Sequence, residues 1–274
     1  MTKKAYCISY CLAALAFVVG SCSKSDNPVT PAAKRYVVSQ IETFDQDGNL
    51  DEIISFKYDD RGRIILKEAS HQQEGSVSIS NRYTYTYSDR LIIQSGQNSV
   101  NEFQLDDSGR IISRRHYLIG SEDKAELSYV TYDSDGHIAS WSNTDESYKF
   151  EWNQGDLIRY TSADDSNATE NVTIVPSDIE ANGYDLRPVF NLIDEQLYQQ
   201  GSFGRQNLHL PANYTKMSTG TNGSTINIEV QFVYEFICGR LKSFIMKNNM
   251  EYAIAGKSIN SHSQTTCKLT WQEI

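Results

Sequence analysis

Closely spaced aspartates are the first residues in this chain that could do chemistry. Asp45-Gln46-Asp47-Gly48-Asn49 and Asp133-Ser134-Asp135-Gly136 place oxygen donors two residues apart, as calcium loops do. A calcium loop also needs a late bidentate Glu, and neither segment has one at that distance, so no metal or other cofactor is expected. The five histidines, His71, His116, His137, His209 and His262, are not paired at metal-ligand spacing, and there is no HExxH. No Gly-x-Ser-x-Gly, phosphate loop or dinucleotide fingerprint occurs. Carboxylates are plentiful enough to supply a glycosidase pair, as they would be in any acidic β-rich chain. The stripe Tyr83, Tyr85, Tyr87 could be a sugar-stacking platform, or it could pack into a core.

The elements that must position these residues follow from a repeat. It reads Phe44-Asp45-Gln46-Asp47-Gly48-Asn49-Leu50, then Tyr58-Asp59-Asp60-Arg61-Gly62-Arg63-Ile64. It returns as Leu105-Asp106-Asp107-Ser108-Gly109-Arg110-Ile111 and Tyr132-Asp133-Ser134-Asp135-Gly136-His137-Ile138. Shorter forms are Tyr87-Ser88-Asp89-Arg90-Leu91, Trp152-Asn153-Gln154-Gly155-Asp156-Leu157 and Phe236-Ile237-Cys238-Gly239-Arg240-Leu241. Asp at the first turn position bonds back to the turn amides, and Gly at the fourth takes the positive φ of a bulged hairpin. Around the turns, Phe56/Tyr58, Tyr83/Tyr85/Tyr87, Phe103/Leu105 and Phe150/Trp152 alternate with polar residues, the period of strands with one buried face. The reading is a mainly β chain, an antiparallel meander of about 14 strands curled into a barrel or half-barrel.

One segment has helical spacing. Leu186, Val189, Phe190, Ile193 and Leu197 predict a helix over 186–200, capped by Asp185 and ended by Gly201, with Asn207–Pro211 as an extended loop. A sheet that wide cannot be covered by one helix, so it must curl on itself and leave an interior that the helix fills in part. A residual cavity lined by inward aromatics is the expected ligand site, with Tyr85, Tyr87, Tyr132 and Trp152 as candidate ligand contacts.

The N-terminus carries an address. Lys3 and Lys4 precede an apolar run, Ile8–Val19, interrupted by Ser9 and too short for a membrane span of about 20 residues. Val19-Gly20-Ser21-Cys22 resembles the bacterial lipobox. Residues 1–21 read as a lipoprotein signal, and Cys22 as the lipid-bearing first residue of the mature chain. Ser23 rather than Asp follows it, favouring the outer membrane. Residues 22–35 read as a lipidated Cys and a flexible tether, with Pro28 and Pro31, and 36–274 as a single β-rich domain with a helical insertion. The net charge of −10 becomes more negative once Lys3 and Lys4 are removed, which argues against nucleic acid as a partner. Cys238 and Cys267 remain; the compartment permits a disulfide, while a hairpin-tip position for Cys238 would hold them apart.

The repeats resemble the Tyr-Asp repeats of Rhs-type surface proteins, with fewer and less regular copies. The combination of lipobox, aromatic–Asp–x–x–Gly hairpins, and a late helix followed by a loop with Asn-Leu and Pro is similar to a family of Bacteroidota lipoproteins with a porin-like fold. That resemblance spans about residues 36–274 and implies a fold and a location, and no activity. Lys57, Lys67, Arg82, Gln104 and Glu151 on the face opposite the aromatics oppose a lipid-facing barrel wall. The expected protein is a non-catalytic, outer-membrane-anchored lipoprotein. It contacts the membrane through its N-terminal lipid and acts in binding a glycan or other envelope ligand, or in envelope assembly. The alternative is a glycan-acting envelope hydrolase.

Overall fold

The structure, a computed structural model, describes residues 35–73, 76–164, 168–181, 184, 195–254 and 257–274. Its strands are β1 (Tyr36–Phe44), β2 (Leu50–Tyr58), β3 (Ile64–Gln73), β4 (Ser76–Ser88), β5 (Leu91–Ser95), β6 (Ser99–Leu105), β7 (Ile111–Leu118) and β8 (Glu126–Tyr132). They continue as β9 (Ile138–Ser142), β10 (Glu146–Asn153), β11 (Asp156–Asp164), β12 (Thr169–Glu180), β13 (His209–Thr219), β14 (Thr225–Ile237), β15 (Arg240–Ile254) and β16 (Lys257–Glu273). Each pairs antiparallel with its chain neighbour, and β1 pairs with β16 to close the barrel.

The barrel has 16 strands rather than about 14. The lower count relied on hairpin signals, and several turns lack the Asp-x-x-Gly pattern. The described helix is α1 (Glu195–Gln199); residues 186–194 of the expected helix and its cap Asp185 lie outside the described residues, as do Cys22 and the tether up to residue 34. The expected loop at Asn207–Pro211 is shorter, because β13 begins at His209.

Three of the four full copies of the repeat build one end of the barrel. In each full turn the Asp carboxylate accepts two amides: Asp106 Oδ1, for example, accepts Ser108 N and Arg110 N, both at 2.9 Å. Gly62, Gly109 and Gly136 have φ of 75°, 79° and 87°, as the turn requires. A bulge follows, with Tyr58 opposite Ile64, Leu105 opposite Ile111 and Tyr132 opposite Ile138.

The sixth residue of the motif links successive hairpins. Arg63 Nε donates to Asp59 at 2.8 Å, and its guanidinium stacks 4.4 Å from the Tyr87 ring of the next hairpin at that end. Arg110 repeats this with Asp106 and Tyr132, and His137 with Asp133 and Trp152. Each aromatic then donates to the carbonyl beside that Arg or His: Tyr87 to Ile64 at 2.8 Å, Tyr132 to Ile111 at 2.6 Å, Trp152 to Ile138 at 2.7 Å. Tyr58 to Val38, Tyr234 to Pro211 and Trp271 to Leu241 extend the belt around the barrel.

α1 and the segment after it pack into this end. Leu197, Tyr198 and Phe203 are buried in the core, and Phe203 meets Phe103 edge to face. Ile111 N donates to Ser202 O, Arg205 N to Gly136 O, and Leu208 N to Gly155 O. The plug is therefore held by the backbone of the belt turns. Inward positions are largely apolar here, whereas outward positions carry Lys57, Gln104, Lys149, Glu151, Glu229 and Lys247.

Candidate functional site

The opposite end of the barrel is built differently. One transverse row of inward side chains crosses five neighbouring strands: Tyr148, Ser162, Glu170, Ser218 and Ile226. The row nearer the plug is Phe150, Tyr160, Val172, Lys216 and Ile228, mostly apolar. The row nearer the mouth pairs Glu146 directly with Asp164. Together Glu146, Tyr148, Asp164, Glu170, Ser218 and Ile226 line a pocket of about 280 Å³. Three carboxylates thus stand over a tyrosyl and aliphatic floor.

The register gathers them, since strand parity sends Glu146 and Tyr148 to the same face as Phe150 and Trp152. Glu170 is the fixed member. It accepts Tyr160 Oη at 2.6 Å and Ser218 Oγ at 3.4 Å, and it forms an ion pair with Lys216. Glu146 accepts Tyr148 Oη at 3.4 Å, and Asp164 accepts Ala168 N at 2.9 Å. Burial, with Glu146 and Glu170 nearby, pushes the Tyr148 phenol up to about 12. Burial, with the bond to Glu170, raises Tyr160 further. Both stay protonated donors at any physiological pH, facing acceptors. The pocket can therefore bind a ligand rich in hydroxyls or amines.

A second concavity, about 480 Å³, lies on the outer face across β12–β16, with Asn171, Asn227, Glu229, Asn249 and Glu251 among its walls. Its outward side chains face away from the lumen, so no floor closes beneath a ligand as the barrel interior does.

The residues singled out by sequence have definite places. Tyr87, Tyr132 and Trp152 belong to the belt, and their donors are committed to backbone carbonyls. Tyr85 is buried, and its hydroxyl accepts Gln94 Nε2 at 2.8 Å, beside Asn101, Arg114 and His116. None of the four lines either concavity. Glu146, Tyr148, Asp164 and Glu170 were missed, although parity with Phe150 and Trp152 was a signal for the first two. The Asp45 turn lies at the open end, and Asp45 bonds the amides of Asp47 and Asn49 as a turn would. Among the described residues, no His, Cys, Asp and Glu trio is arranged to hold a metal ion. Cys238 is exposed and Cys267 buried.

No protein-family model matches the sequence, and no curated protein does. Solved structures match the fold. A porin-like protein from Bacteroides uniformis superposes with a TM-score of 0.60 at 12% identity, over 85% of this chain and 98% of that one. A porin-like protein from Bacteroides vulgatus gives 0.52 at 12% identity, over 86% of this chain and 98% of that one. At these identities the likeness is one of fold.

Proposed function

We propose that this protein is a lipid-anchored component of the outer membrane that binds a glycan fragment in the open end of its barrel without turning it over. The observation that carries the reading is the pocket itself: three carboxylates and the protonated Tyr148 gathered inside a closed wall whose other end is plugged. That is a cup, suited to holding a ligand rather than conducting one. Charged outward side chains such as Lys57, Lys149, Glu151, Glu229 and Lys247 fit a barrel standing in water and held by a lipid at Cys22. A closed barrel with a porin-like fold fits an envelope location.

Glycan hydroxyls would donate to Glu146 and Asp164, and Tyr148 would supply both a donor and a ring face. Both oxygens of Glu170 are already bonded within the wall, so it serves as a fixed acceptor surface. One observation favours a second reading, glycan hydrolysis. Glu146 and Asp164 are direct cross-strand partners, so two carboxylates leave the wall side by side at the mouth, the pairing of residue types that glycosidases use.

Calorimetric titration of the protein with neutral and amino-substituted oligosaccharides, with reducing ends assayed in the same samples, separates the readings. The expected result is saturable binding without release of reducing ends. Glu146→Gln or Tyr148→Phe should weaken it about tenfold, about 1.4 kcal/mol, with circular dichroism unchanged. Released reducing ends that vanish in Glu146→Gln would establish the hydrolase, and absence of binding across the panel would remove the glycan reading.

A further inference from the structure

The two ends of the barrel differ in how the chain leaves them. Residue 35 lies at the plugged end. Ile274 N donates to Arg35 O at 2.9 Å, and a side chain added at Gly62, in the β2–β3 turn, would meet both Ile274 and Arg35. Arg240, at the β14–β15 turn, stacks 3.5 Å from the ring of Tyr36. The β14–β15 turn, the start of β1, the end of β16 and the β2–β3 turn therefore form one corner of the plugged end, and the chain enters the barrel there.

This corner is apolar and exposed. Phe236 and Ile237 stand on the β14–β15 turn with 40% and 57% of their surface open to solvent, Ile274 has 42%, and Ile65, just past the β2–β3 turn, has 38%. Basic residues surround them: Arg35, Arg61, Arg63, Arg240 and Lys242, against Asp59, Asp60, Glu235 and Glu273. The chain as a whole has 25 Lys and Arg against 35 Asp and Glu, so this corner, close to charge balance, is less acidic than the whole. Exposed aliphatic and aromatic side chains beside Arg35, Arg61 and Arg240 suit a lipid–water interface.

We propose that this corner is a membrane-docking surface. The barrel sits plug-down on the bilayer, with the pocket opening directed away from the membrane. The inference rests on lipidation at Cys22. The open end also exposes apolar side chains, Ile79, Leu118, Ile119 and Ile259, but the chain does not enter there. The height of the wall decides between the ends. Strands of 13 and 15 residues, tilted as in barrels, rise roughly 35 Å. Residues 22–34 reach roughly 45 Å at full extension. Docking by the open end would stretch that linker along the whole wall and cost it most of its conformational freedom. Docking by the plugged end leaves it slack.

Cys238 provides the probe, because it is exposed at this corner while Cys267 is buried. The full-length protein, matured in membranes and purified in detergent, is labelled at Cys238 with an environment-sensitive fluorophore and reconstituted into phosphatidylcholine vesicles. A second sample carries the label at the open end through Gln97→Cys with Cys238→Ser. Mass spectrometry of the N-terminal peptide reads the lipid on Cys22 separately. The expected result is a lipid adduct, with the Cys238 label quenched several-fold more by headgroup-region spin-labelled lipid than by aqueous iodide, and the reverse for the open-end label. A lipid adduct with the Cys238 label as open to iodide as the open-end label would overturn the docking proposal and leave the anchor standing. Preferential lipid quenching of the open-end label would overturn it by inversion. Absence of the adduct would remove the anchor and the proposal together.

Discussion

His209 shares both its backbone N–H and its ring Nδ1 with the carboxylate of Asp156, each at 2.8 Å. Asp156 is buried, opens β11, and lies beside the plug's outgoing strand. The hydrogen bond to Asp156 raises the His209 pKa above its ordinary 6.5, against a smaller desolvation effect. The imidazolium is thus favoured in the folded state. The stabilisation is complete below about 6.5 and is lost as pH rises through the raised value. In thermal melts from about pH 6 to about pH 8.5, the advantage of the native protein over His209→Gln should be largest at the acidic end and shrink toward the basic end. A constant difference across that range would mean that the imidazole contributes through its shape and neutral hydrogen bonds alone.

The plug is the element on which the sealed end depends, and Gly204 is its tightest point. A Cβ there would come 2.3 Å from the Gly136 carbonyl and 2.9 Å from the Tyr132 ring, and its φ is 84°. Gly109 has a similar φ of 79° but open space around it. Gly109→Ala should therefore cost only backbone strain, about 1–2 kcal/mol. Gly204→Ala must also displace the plug from the Gly136 turn, and should cost about 2 kcal/mol more. Chemical denaturation of both variants measures this, and equal losses would mean the plug yields without penalty. The contrast also marks how far sequence reading reaches. The Asp-x-x-Gly turns, their positive φ and the alternating strands were legible, because each follows from local spacing. The coupling of Arg63 to Tyr87, or of Gly204 to Gly136, was not, because those residues meet only once separate hairpins stand side by side. The same holds for the pocket. Glu146, Asp164, Glu170 and Ser218 are four ordinary polar residues until the register of five strands puts them over one floor. Tyr87, Tyr132 and Trp152 were conspicuous for their repeat position, and that position is what commits them to the belt.

At the scale of the whole barrel, the belt turns are a set of acid-sensitive clasps. Burial tends to raise the carboxyls of Asp59, Asp106 and Asp133. Hydrogen bonds from Arg63, Arg110 and His137, backbone and side chain, outweigh it and hold all three below the ordinary 3.8. A carboxylate held low contributes stability that is present above its unfolded value and is lost as pH falls through the folded one. Protonating any of the three removes acceptors from its own turn amides. It also releases the Arg or His that stacks on the next hairpin's aromatic, so the loss passes along the wall rather than staying in one loop. Because the wall closes on itself through β1 and β16, a weakened belt should unfold as a unit. The native protein should therefore lose stability steeply below about pH 4, in one transition seen alike by tryptophan fluorescence and far-ultraviolet circular dichroism. A triple variant, Asp59→Asn, Asp106→Asn and Asp133→Asn, should be less stable at neutral pH and show a flatter profile over the same acidic range. An unchanged acid slope in that variant would place the sensitive carboxylates elsewhere, with Glu235 and Asp45, also held low, the next to replace.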